Sequence, residues 1–186
     1  MKIRAIKSSK LNHMSRNELH RFTDQISAFL EKEGEWLERE QLETDPTYRQ
    51  VIPYTMVSSQ AMRKRVLMQR CKGQGEARLF DKYYIGAGGH VEEGHSIVYT
   101  ALKECTEELG LPLARLQLTG IMITDGSMVD DVHVCIFGMA ETHYEIFRSP
   151  EGPLHNARWA SDAELLAHIP KMEKWSAVLV KHLIKA

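Results

Sequence analysis

Between Gly88 and Leu111 lies the stretch that most limits what this chain can fold into. A glycine-rich turn, Gly86-Ala87-Gly88-Gly89, leads through His90-Val91-Glu92-Glu93-Gly94-His95 into a run from Ser96 to Leu109 that reads as a helix. Glu104, Glu107 and Glu108 stand at i, i+3 and i+4 on that run, so they share one helical face. Val98, Ala101, Leu102, Cys105 and Leu109 occupy a different face that can be buried, and Gly110 is well placed to end the helix. Three clustered carboxylates repel one another. They are either a solvated acidic face or ligands for a divalent cation, of the kind that hard Mg²⁺ or Mn²⁺ prefers.

The same stretch resembles the Nudix box, G-x5-E-x7-R-E-U-x-E-E-x-G-U, where U is a bulky aliphatic residue. Gly89, Glu104, Glu107, Glu108, Gly110 and Leu111 fall at the required spacing without a gap, with Cys105 at the first U position. Gly88 and Gly94 also fit the wording of the loop. Two positions depart: His95 stands where the family has Glu, and Lys103 where it has Arg.

The resemblance implies an α/β fold, the Nudix α/β/α sandwich with a mixed sheet. It also implies metal-dependent hydrolysis of a nucleoside diphosphate linked to another moiety, with Mg²⁺ or Mn²⁺ as cofactor. By position, Glu104, Glu107 and Glu108 are the implied ligands, with the Gly89 carbonyl as a further one. One of these carboxylates, or a glutamate on a later loop such as Glu141 or Glu145, would help deprotonate water. In the family, the residues at the His95 and Lys103 positions pair and steady the helix. A lysine cannot copy a bidentate guanidinium, so either Glu92 or Glu93 partners Lys103 or the site is loosened. His95 is either a ligand or a hydrogen-bonded surface residue, and His90 either meets phosphate or caps the turn.

Arg63, Lys64, Arg65, Arg70, Arg78 and Lys82 precede the box and are candidates for phosphate contact, Arg70 and Lys82 being nearest in sequence. Tyr83, Tyr84 and Trp159 are either base-stacking or core residues. Cys105 takes a core aliphatic's place and is not a nucleophile candidate. The competing reading is a nucleotide-binding or regulatory module that keeps the fold without turnover, with a helix over residues 15–33 as a partner or homodimer surface. An isomerase of diphosphate lipids lacks an identifiable acid–base pair.

Around this centre the 186 residues suit one domain, 46–186, behind an N-terminal helical extension, 1–45. In the extension, Ser15 and Glu18 read as a capping box, and Leu19, Phe22, Ile26, Phe29 and Leu30 recur at helical spacing. Asp45-Pro46 marks the boundary. Strands are expected over 52–58, 65–70 and 83–85, followed by a pair, 116–124 and 131–140, around the turn Asp125-Gly126. A short strand at 157–159 then precedes a helix opened by a second capping box, Ser161 with Glu164, and a last helix runs over 172–184. Hydrophobic residues at 43%, charged residues at 26% and a net charge of −1 fit a soluble domain and exclude a general nucleic-acid or membrane binder. No apolar run nears the ~20 residues that cross a bilayer, and the first residues lack the apolar heart of a secretory signal. Cys71, Cys105 and Cys135, odd in number and without metal spacing, are expected as reduced thiols in a cytoplasmic protein.

Overall fold

The computed structural model describes residues 1–70, 81–111, 113, 115–143 and 154–184, with their side chains except at positions 70 and 154–156. In chain order the elements are β1 (Lys2–Lys7), β2 (Leu19–Arg21), α1 (Asp24–Glu33), β3 (Glu35–Glu38), α2 (Arg39–Leu42), β4 (Tyr48–Ser59) and β5 (Lys64–Arg70). There follow β6 (Tyr83–Tyr84), β7 (Gly86–Gly88), α3 (Ile97–Leu109), β8 (Gln117–Met122), α4 (Met128–Asp131), β9 (His133–Glu141), β10 (Leu154–Ala160), α5 (Asp162–His168) and α6 (Lys174–Leu183).

The strands join in one mixed sheet, in the order β10-β5-β4-β9-β8-β2. β4 and β9 run parallel from Gln50↔His133 to Ser58↔Glu141, and the other pairings between strands are antiparallel. Both members of this central pair are buried on both faces, which is why they read as nearly continuous apolar runs. Neighbouring residues of β4 point to opposite faces. Tyr54 meets Ser176 of α6 on one face, and Thr55 lies against Cys105 of α3 on the other. Helices thus cover both faces of the sheet, giving the expected α/β/α sandwich. One core gathers Met56, Phe137, Leu165 and Leu179, and a second gathers Leu30, Val51, Val134 and Ile136.

α3 matches its expected span because its ends are chemically marked. Ser96 Oγ accepts the Tyr99 N–H at 3.1 Å. At the far end Gly110 takes a left-handed φ of 64°, letting its N–H reach the Thr106 carbonyl and the Leu111 N–H the Cys105 carbonyl. The capping box at Ser161 and Glu164 is also present.

The stretch before residue 46 differs from the helical extension read in the sequence. It does hold a helix, α1, but this starts after Thr23, whose side chain accepts the Ile26 N–H. Ser15 and Glu18 lie ahead of β2, in a turn where Asn17 adopts φ 60°. Leu19 is drawn into β2 by pairing with Met122 of β8, an option that helical spacing alone does not reveal. β1 pairs with both β3 and β4, so this stretch is part of the sheet. The connection after Asp125-Gly126 is likewise not a tight turn. It carries α4, capped by Ser127, and β9 starts only at His133. None of the described helices is long and apolar enough to cross a membrane.

Candidate active site

β7 delivers Gly88 and Gly89 to the start of the loop ahead of α3, and α3 returns its glutamates to the same place. Glu108 is 8% exposed, and its Oε2 accepts the Gly88 N–H at 3.2 Å. Glu104 packs against Gly89 so closely that a Cβ there would fall on its carboxylate. Here glycine is required by close approach, not by a turn. Burial raises the Glu104 carboxyl above its ordinary value, and the charge of Glu107 raises it further.

Glu107 is more exposed and faces Lys103, whose Nζ lies 3.8 Å away. The same Nζ is 3.4 Å from Glu92 Oε1. Burial pulls the Lys103 pKa down, but Glu107, Glu92 and Glu104 outweigh it and leave it raised. Of the two acidic partners open to Lys103, Glu92 is therefore the one in reach. Glu93 lies instead beside Lys2, at 3.9 Å on the surface. β1 buttresses this loop through the Arg4 N–H to Val91 and the Glu93 N–H to the Lys2 carbonyl.

The His95 ring lies tilted against Tyr99, with centroids 4.5 Å apart. Its Nδ1 is buried without a hydrogen-bond partner among the described residues. His90 Nε2 is 2.6 Å from Gln50 Oε1. Burial, then the charge of Arg39, holds the His90 pKa down at about 3, so the ring is neutral.

Among the described residues no three His, Cys, Asp or Glu side chains are yet gathered as a metal cage. Glu108 is turned to Gly88 and Glu107 to Lys103, the spreading expected of like charges on one helical face. Two features nonetheless fit a divalent cation. All three carboxylates stand on one helical face, and Glu104 is held in a buried, charge-strained position against a backbone with no side chain to block it.

Beside the cluster opens a cavity of about 850 Å³, within the usual range for small-molecule sites. Gly88, Gly89, His90, Glu108 and Lys82 all line it. Tyr84 lines it as well, although it is largely core. Tyr83 packs on His168, and Trp159 stands on β10 within the core around α5 and α6. Arg63, Lys64 and Arg65 gather at a separate hollow beside Asp162. Glu141 does not join the cluster. It pairs in register with Ser58 and accepts from Gln60, four residues along β4 from the partner of Gly88, or about 13 Å. Glu145, Arg78 and the Arg70 side chain lie outside the described residues.

Other lining residues were not among the site candidates in the sequence, Trp175 being expected on the buried side of the last helix. Tyr54, Glu173 and Trp175 form a polar and aromatic wall. Glu173 caps α6 by accepting the Trp175 and Ser176 N–H groups, and Tyr54 donates to it at 3.2 Å. Burial raises the Glu173 carboxyl against these bonds. His133 sits 5.7 Å from His90, ring to ring. Arg39 and Glu43 enter from α2 and the residue after it. Their i,i+4 spacing was the available signal. For Tyr54 there was none.

The match with known proteins agrees with this geometry. The family model of the NUDIX domain matches residues 54–183. Protein YmaB of Bacillus subtilis is 31% identical over 122 residues, covering 60% of this chain and 58% of that protein, so the chain matches little more than half of that relative's length. The crystal structure of Tm1382, provisionally named a Nudix hydrolase, superposes with a TM-score of 0.80 at 22% identity, over 98% of each chain. The NUDIX domain of Shewanella oneidensis NrtR, solved with ADP ribose, gives a TM-score of 0.60 at 13% identity, over 73% of this chain and 86% of that one. Folded as an α/β/α sandwich around a glycine loop and a glutamate-bearing helix, this chain belongs to the Nudix family.

Proposed function

We propose that the protein is a metal-dependent hydrolase of a nucleoside diphosphate linked to another group, with Mg²⁺ or Mn²⁺ held by Glu104, Glu107, Glu108 and the Gly89 carbonyl. The observation that carries this reading is the meeting of the three-glutamate face of α3 with the Gly88–Gly89 backbone, beside a cavity of nucleotide size. When bound, the ion would neutralise the diphosphate and acidify a coordinated water. The chain's own residues do the rest. The Gly88 N–H orients Glu108, and Lys103, shared between Glu92 and Glu107, takes the place of the family's bidentate arginine as a single point charge. Tyr54, Trp175 and His133 give the substrate's ring-bearing part an aromatic wall. The base is one of the α3 carboxylates.

Hydrolysis is tested by incubating the purified protein with nucleotide sugars, ADP ribose and dinucleoside polyphosphates, with Mg²⁺ or Mn²⁺, and measuring nucleotide release. Metal-dependent release is expected from some of them, reduced at least about 100-fold in Glu108→Gln. The departures at His95 and Lys103 favour the second reading, a binding module. Nucleotide binding with no release from any compound would establish that instead.

A further inference from the structure

The stretch before residue 46 reaches the cavity as well as the sheet. Arg39 and Glu43 line its wall together with Gly89, His90 and Glu108. Arg39 Nε donates to Glu43 Oε1 at 2.8 Å, which tethers the guanidinium by its inner nitrogen. Its two outer nitrogens make no hydrogen bond or ion pair with any described residue. The result is a half-exposed, permanently charged fork, held in place and open at its tip.

Among the described residues, the other cations near the cavity are engaged or differently shaped. Lys174 is tied to Asp125, and Lys103 to Glu92 and Glu107. Lys82 offers a point charge on a flexible stem. His90 is engaged by Gln50, its Nε2 lying 2.6 Å from Gln50 Oε1. The glutamates of α3 repel an incoming phosphate until a cation is bound, so a fixed positive group on the wall has a clear task.

We propose that Arg39 is a substrate-recognition residue whose outer guanidinium nitrogens grip a phosphoryl group of the ligand. The proposal deepens the hydrolase reading and rests on it. It places a specificity-determining group outside residues 54–183, the span shared with the family model. A planar fork of N–H donors matches two oxygens of one phosphate, which a lysine cannot do. Ligands that carry a phosphate toward α2 are therefore preferred over those that present a neutral group there.

The test uses the full chain and inorganic pyrophosphate with magnesium, followed by titration calorimetry. Arg39→Ala is expected to weaken binding about tenfold or more, the worth of a charged hydrogen bond. Arg39→Lys recovers only part, since it restores the charge and not the fork. Lys32→Ala, which removes an equal charge from an 82% exposed side chain on α1, leaves binding unchanged. On any compound that turns over, Arg39→Ala raises KM with little change in kcat. Unchanged affinity in Arg39→Ala, equal losses in Arg39→Ala and Lys32→Ala, or no pyrophosphate binding by the wild type overturns the proposal. Absence of turnover from every compound sinks the hydrolase reading alone, and the calorimetric comparison still decides Arg39. Thermal melts of each variant separate lost binding from lost folding.

Discussion

Tyr54→Phe removes one oxygen from the centre of the fold and keeps the ring. That hydroxyl is the hub of a small network. It accepts the Gly86 N–H at 3.0 Å and the Ile85 N–H at 3.3 Å, lies 2.7 Å from Ser176 Oγ and donates to Glu173. The ring packs edge-on to Trp175 and is 4% exposed, so phenylalanine fills the same space. Ile85 keeps a second acceptor in Ser176 Oγ at 3.0 Å, and Glu173 keeps its two backbone donors. Gly86 loses its bond to the Tyr54 hydroxyl, and an orphaned buried N–H costs about 1–3 kcal/mol. With the weakened tie to Glu173 the loss is about 2 kcal/mol, which in a chain of this size lowers Tm by about 4–8 °C. Because Gly86 opens β7, the strand that delivers Gly88 and Gly89, its amide should also exchange with deuterium faster than in the wild type. Calorimetry and hydrogen exchange read both effects. A Tm within 1 °C of the wild type and an unchanged Gly86 exchange rate would show that the hydroxyl does not hold the glycine loop.

Glu104→Gln should raise Tm in metal-free buffer near neutral pH. The folded state holds the Glu104 proton more tightly than the unfolded chain, because burial and Glu107 oppose its charge. Stability therefore falls as pH rises from the ordinary 4.5 through the raised folded value, and the advantage of glutamine should fade on acidification. Melts across that range check the sign. A thiol reagent should modify at most one of the three cysteines in the folded protein. Burial pushes Cys105 up to about 12 and Cys135 well above its ordinary value, so neither offers a thiolate. Mass spectrometry of the labelled protein counts the adducts.

Local chemistry made α3 legible in advance. Ser96, the apolar face, the three glutamates and Gly110 all act within a few residues of one another, so their spacing alone places the carboxylates side by side. The same holds for the capping box at Ser161. It fails at Ser15 and Glu18, where an equally good local pattern lost Leu19 to a strand partner at Met122, far along the chain. Tyr54 and Glu173 meet across 119 residues, and Arg39 reaches the cavity only because β1, β3 and β4 pair and carry α2 to its edge. Helical periodicity is set by neighbours along the chain. The walls of the cavity are set by strand register and packing between distant segments, and those energies exist only once the sheet has formed. The amino-acid order thus determined which helix bears the acidic face, while the assembled sheet decided what surrounds it.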